Sequence, residues 1–173
     1  MRSAWRSLSI FSLSVFLFML GCMGPGSQHV NATGSGELQT NQKFTLNDLN
    51  GQSVSLEGLL KQKKAVLINF WATWCPPCRE EIPGLIKLQE KFKDRSFTLL
   101  GIDVGESQKK VSSFVEKSGI NYPVVLDNEM KVSESYSVFG IPTTFLVSSE
   151  GKILGEYHGF SQQLMDDVEK ALQ

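Results

Sequence analysis

Two cysteines three residues apart, Cys75 and Cys78, stand between a seven-residue apolar run, Ala65 to Trp71, and an amphipathic segment. That order admits few architectures. The apolar run has the length and composition of a strand buried on both faces. Beyond the cysteines, Ile82, Leu85, Ile86, Gln89 and Phe92 recur at helical spacing to about Lys93, so both thiols fall in the first turn of a helix. Pro83 lies inside that helix and should kink it. Cys75 then sits where unpaired backbone N–H groups and the positive end of the helix dipole favour a thiolate, the attacking species in disulfide exchange.

The rest of the chain narrows the partners. A core of this size, in 173 residues with 41% apolar content, needs no structural disulfide, so cysteine here serves chemistry. A net charge of −1 with scattered lysines and acids gives no basic stripe for nucleic acid. A metal site is disfavoured as well. One CxxC supplies two ligands, and neither His29 nor His158 has ligand spacing to it. Covalent haem attachment would require a histidine at position 79, which is Arg79, and an iron–sulfur cluster would require more cysteines.

Residues 1–22 read as a signal peptide. Arg2 and Arg6 precede an apolar run from Leu8 to Leu20, too short to span a bilayer comfortably, and Gly21 supplies the small residue before a cut. The ending Met19-Leu20-Gly21-Cys22 resembles a bacterial lipobox, with Met19 in place of the usual Leu, which implies acylation of Cys22 and attachment to a membrane. Residues 23–41, rich in Gly, Ser, Thr and Asn, read as a flexible tether. A random coil of that length spans about 24 Å end to end.

The domain runs from 42 to 173. Phe44 to Leu56 alternates apolar positions around Asn50-Gly51, a β-hairpin signal. After the CxxC helix, Phe97 to Val104 reads as a buried strand, Gln108 to Ser118 as a helix, Val124 to Leu126 as a short strand and Met130 to Tyr136 as a short helix. Thr143 to Val147 and Lys152 to Tyr157 flank a Ser149-Glu150-Gly151 turn, and Gln162 to Leu172 closes the chain as a helix. Strands alternating with helices, then a hairpin and a helix, give an α/β fold with a mixed central sheet covered on both faces.

Trp74-Cys75-Pro76-Pro77-Cys78, Pro83 and Gly140-Ile141-Pro142-Thr143-Thr144-Phe145 together resemble a thioredoxin-fold oxidoreductase. Val104-Gly105-Glu106-Ser107, Tyr122 to Asp127 and the N-terminal hairpin make the chain most similar to membrane-tethered, extracytoplasmic TlpA/ResA-like proteins. The resemblance implies a thioredoxin-like three-layer fold with an added N-terminal β-hairpin and a cis Ile141–Pro142 bond. It also implies that Trp74, Pro76, Pro77, Ile141 and Pro142 form the surface a substrate meets. Cys75 would attack a substrate disulfide and Cys78 would resolve the mixed disulfide, with no cofactor beyond the dithiol itself. Glu81, one helical turn past Cys78, matches a family acid that lies near the dithiol and would relay its proton; the plainer role for Glu80 and Glu81 is favouring the helix N-terminus. Glu106 matches another family acid, with a surface or helix-start role as the alternative.

The partners implied are oxidised proteins, such as apocytochrome c, and a membrane thiol carrier that donates electrons. Pro76-Pro77 departs from the Glu-Pro pair of some relatives, so potential and thiol acidity do not carry over. Two other readings compete. A peroxiredoxin would share the fold, but its Pro-x-x-x-Thr-x-x-Cys pattern is broken by Ile68 and Ala72. A thioredoxin-fold binding or chaperone module would not need the intact Cys75, Cys78 and Pro142.

Overall fold

A computed structural model describes Gly36 and residues 42–173. The residues read as a signal peptide, with Cys22, those read as a tether, apart from Gly36, and His29 lie outside the described residues. Among the described residues no helix is long and apolar enough to cross a membrane.

The elements follow the order β1 (Thr45–Asp48), β2 (Ser53–Ser55), α1 (Leu56–Leu60), β3 (Ala65–Trp71), α2 (Pro76–Phe92), β4 (Phe97–Val104), α3 (Gln108–Ser118), β5 (Val124–Asp127), α4 (Lys131–Ser135), β6 (Thr143–Ser148), β7 (Ile153–Tyr157) and α5 (Gln162–Ala171). The strands form one sheet in the order β2-β1-β5-β4-β3-β6-β7. β3, β4 and β5 run parallel, and β1, β6 and β7 join antiparallel. This is the expected mixed sheet with the hairpin added at the β5 edge.

Side chains alternate across the pleat, and the alternation sorts the core into two halves. Leu67, Trp71, Leu99 and Leu146 face α2, α3 and α5. Val66, Ile68, Phe70, Leu100 and Phe145 face α1 and α4. β3, with neighbours on both sides, is buried at every residue, as its nearly continuous apolar run predicts.

The hairpin closes through a longer loop than a two-residue Asn-Gly turn. Asp48 accepts from the N–H groups of both Asn50 and Gln52, and Gly51 takes φ +78°, a left-handed conformation glycine tolerates. The sequence reading carries the hairpin to Leu56, but the chain turns into α1 there, because Ser55 accepts from Gly58 N–H as an N-cap. Pro83 lies within α2 and the helix continues past it, exposed on the outer face while Ile82, Leu85, Leu88 and Phe92 pack inward. Gln89 turns back to accept from Leu99 N–H, tying α2 to β4.

Candidate active site

β3 ends at Trp71, and the chain crosses to α2 through a turn closed by Cys75 N–H donating to the Ala72 carbonyl at 3.2 Å. Cys75 is the N-cap of α2, and its Sγ accepts from Cys78 N–H at 3.2 Å. Pro76 and Pro77 fill the first two helical positions and have no N–H, so Cys78 supplies the one first-turn backbone donor that meets the sulfur. The sulfurs are joined, with S–S 2.13 Å. Cys75 keeps 3% exposure and Cys78 none, which makes Cys75 the sulfur a substrate can reach.

The loop before β6 faces this pair. The Ile141–Pro142 bond is cis, as the resemblance implied. The Ile141 carbonyl oxygen lies 3.7 Å from Cys75 Sγ, placing a backbone acceptor beside the reacting atom. Thr143 braces the loop by donating its hydroxyl to the Gly140 carbonyl at 2.7 Å.

A groove of about 550 Å³ opens from Cys75, lined chiefly by Trp74, Val104, Met130, Val138, Phe139 and Ile141. Trp74 is 61% and Phe139 98% exposed, which is unusual for side chains of that size. Trp74, Pro76, Pro77 and Ile141 therefore border one surface, while Pro142 stands half-buried behind it. A second cleft between β1 and α4 holds no thiol. Its one buried carboxylate, Asp127, is committed to the N–H groups of Val132 and Ser133.

Beneath the disulfide lies a polar cluster that the sequence reading caught only at Glu81. Glu81 is buried on α2, and its Oε1 accepts from Asn69 Nδ2 at 2.8 Å. Asn69 also donates to Thr144 Oγ1 across the β3–β6 ladder. Glu81 Oε2 has no partner, and burial pushes the carboxyl up to about 7 against the opposing pull of Asn69. Burial of the Tyr122 phenol, and secondarily the Glu81 charge, raise its pKa. Glu80 stays exposed.

Glu106 is more than a surface acid. It accepts from both the N–H (2.5 Å) and the hydroxyl (2.9 Å) of Thr73, inside the turn that carries Cys75, and pairs with Lys110. Asn69 and Asp103 were missed, though each carried a signal as a polar residue inside an otherwise apolar strand. Met130 and Phe139 carried none. Among the described residues no cluster of three or more His, Cys, Asp or Glu is placed to hold a metal ion.

An N-cap cysteine bonded to a buried partner one turn on, facing a cis-proline loop over a mixed sheet, defines a thioredoxin-like thiol–disulfide oxidoreductase. The chain matches the AhpC/TSA family model over residues 39–155 and belongs to that family, among its ResA-like thiol-disulfide oxidoreductases. It is 40% identical over 111 residues to thiol-disulfide oxidoreductase ResA of Bacillus subtilis (strain 168), covering 64% of this chain and 61% of that one. ResA of Halalkalibacterium halodurans is 33% identical over 125 residues, 72% and 70% of the two chains. The thioredoxin domain of a Bacteroides vulgatus thiol-disulfide oxidoreductase superposes with TM-score 0.71 at 32% identity, covering 80% of this chain and 99% of that one.

The peroxidase alternative fits the site poorly. Ile68 and Ala72 are fully buried apolar residues, and the neighbouring Thr73 hydroxyl is spent on Glu106.

Proposed function

We propose that this chain reduces disulfides of exported proteins outside the cytoplasm, apocytochrome c among the substrate candidates, while held to a membrane through acylated Cys22. The observation that carries the reading is the reachable Cys75 sulfur at the head of an apolar groove, beside the Ile141 carbonyl. An extended substrate segment pairs with that backbone and lays its side chains on Trp74, Pro76, Pro77 and the Ile141-Pro142 loop.

The chemistry runs in two exchanges. The Cys75 thiolate attacks one substrate sulfur, and the other leaves as a thiolate that takes a proton from water. Cys78 then gives up its proton and attacks Cys75 Sγ, which releases the second substrate thiol and closes the Cys75–Cys78 disulfide. Glu81 is the acceptor for the Cys78 proton: it lies one turn further along the same helix face, and burial holds its carboxyl near 7, poised to take and return a proton. Two electrons from a membrane thiol carrier restore the dithiol, so no other cofactor is needed.

The reduction potential of the couple tests the direction. A value near or below about −270 mV fits a reductant, and one near about −120 mV makes the protein an oxidant instead. Cys78→Ser should accumulate thiol-sensitive adducts through Cys75 in cells, and their absence would count against protein substrates. Mass spectrometry of the mature N-terminus decides the anchor, and an unmodified Cys22 would remove it.

A further inference from the structure

A second buried carboxyl lies on the same face of the sheet, outside the exchange steps. Asp103, near the end of β4, is completely buried. Its Oδ1 accepts from Glu106 N–H at 3.2 Å, while Oδ2 accepts from no donor. The Glu106 carboxylate lies within side-chain hydrogen-bonding reach. Two carboxylates in contact both accept and neither donates, so the pair is satisfied only when one of them carries a proton.

The surroundings decide which one. Glu106 receives Thr73 N–H, Thr73 Oγ1–H and the Lys110 ammonium, all of which favour its anion and hold it below the usual carboxylate range although burial opposes them. Asp103 has one backbone N–H and no cation in contact. The proton therefore belongs on Asp103, which can donate it to Glu106.

We propose that Asp103 is a positioning residue for disulfide exchange: its protonated carboxyl holds the Glu106 carboxylate, which in turn fixes Thr73 and the turn that presents Cys75. Thr73 is the second residue of that turn, and its N–H and hydroxyl both end on Glu106. With two prolines following Cys75, the turn has few other backbone donors to hold it. If Asp103 ionises, two buried like charges are set against each other and the clamp on Thr73 loosens. The charged groups acting on Asp103 are Glu106 and Lys110. Glu81, the other buried acid on this face, is engaged by Asn69 instead.

The inference rests on exchange at Cys75, and on neither the physiological substrate nor the direction of electron flow. The test uses the reduced full chain and a small aromatic disulfide, with the rate followed from pH 6 to 9 in wild type and variants side by side. In the wild type, burial and the neighbouring Glu106 push Asp103 up to about 8; because the Cys75 thiolate and Glu81 titrate alike in wild type and Asp103→Asn, the ratio of the wild-type rate to the Asp103→Asn rate should fall on the alkaline side of that value. The expected fall is about fivefold by pH 9.

Asp103→Asn keeps the acceptor for Glu106 N–H and offers Glu106 an N–H at every pH, so its profile should follow the Cys75 thiol and Glu81 alone, without the further alkaline loss. Thr73→Val removes one of Thr73's two donors to Glu106, so it should slow exchange at all pH values and keep the alkaline fall. A purely structural role for Asp103 would change the melting temperature and leave the shape of the profile alone. A ratio of wild-type to Asp103→Asn rates that stays constant from pH 6 to 9 overturns the proposal.

Discussion

One face of the sheet is built for packing and the other for chemistry, although alternate residues of the same strands supply both. On the α1 and α4 side, Phe44, Phe70, Tyr136 and Phe145 pack edge-on or tilted with ring centroids 5.2–6.3 Å apart. On the α2 side, Asn69, Glu81, Asp103 and Thr144 are buried within the core. Each buried polar group there costs stability unless partnered, and the Glu81 and Asp103 oxygens left without donors show that the partnering is incomplete. Apolar packing on both faces, with Trp71–Phe114 and Phe92–Phe97 on the α2 side, surrounds these groups of intermediate acidity.

Substitutions on each face test that division. Cys75→Ser should lower the exchange rate by about a thousandfold or more, read by stopped-flow against a model disulfide, with little change in melting. Loss of fold together with activity would break the separation.

Phe70→Ala, on the other face, should cost about 3–5 kcal/mol in urea unfolding and leave the Cys75/Cys78 potential unchanged. A shifted potential would mean that the packing face also sets the chemistry.

Glu81→Gln tests the cost of the chemical face. Because the folded protein holds the Glu81 proton to about 7 rather than 4.5, it binds that proton more tightly than the unfolded chain does. Its contribution to stability is therefore full below pH 4.5 and falls by about 3 kcal/mol as pH rises through 7. The glutamine variant should lose that slope and be the more stable protein at pH 8, measured by urea unfolding at pH 5 and 8. An unchanged slope would clear Glu81 of the cost.

The smallest effect belongs to Phe139→Ala. It should raise KM for a protein disulfide about tenfold, or about 1.4 kcal/mol, leave a small disulfide unaffected, and change stability by less than about 0.5 kcal/mol. Equal effects on both substrates would remove Phe139 from the docking surface.

Much of this arrangement was legible from local sequence. The apolar run of β3, the period of α2 and the placement of Cys75 at a helix start all follow from neighbouring residues. Helix α1 was not foreseen, since five residues carry too little periodicity to announce a helix and only the Ser55 cap marks its start. The polar cluster was less accessible still. Asn69 meets Glu81 and Thr144 because strand parity, the β3–β6 register and one turn of α2 coincide, and no single segment encodes that coincidence. Glu106 was visible as a motif residue, but its hold on Thr73 spans two connections at the ends of parallel neighbours β3 and β4. Phe139 read as an ordinary apolar residue, and only its exposure in the fold sets it apart.

The sheet also has two outer margins, and the chain disposes of both. At one, β2 is three residues long and carries Ser53 and Ser55, a ladder too brief and too polar to recruit another chain. At the other, pairing with β7 is offset by an irregularity at Leu146/Val147, and the Ile153 N–H is already taken by the Gly36 carbonyl at 2.7 Å. Among the described residues, the β2 rim thus offers a second copy no ladder longer than three residues.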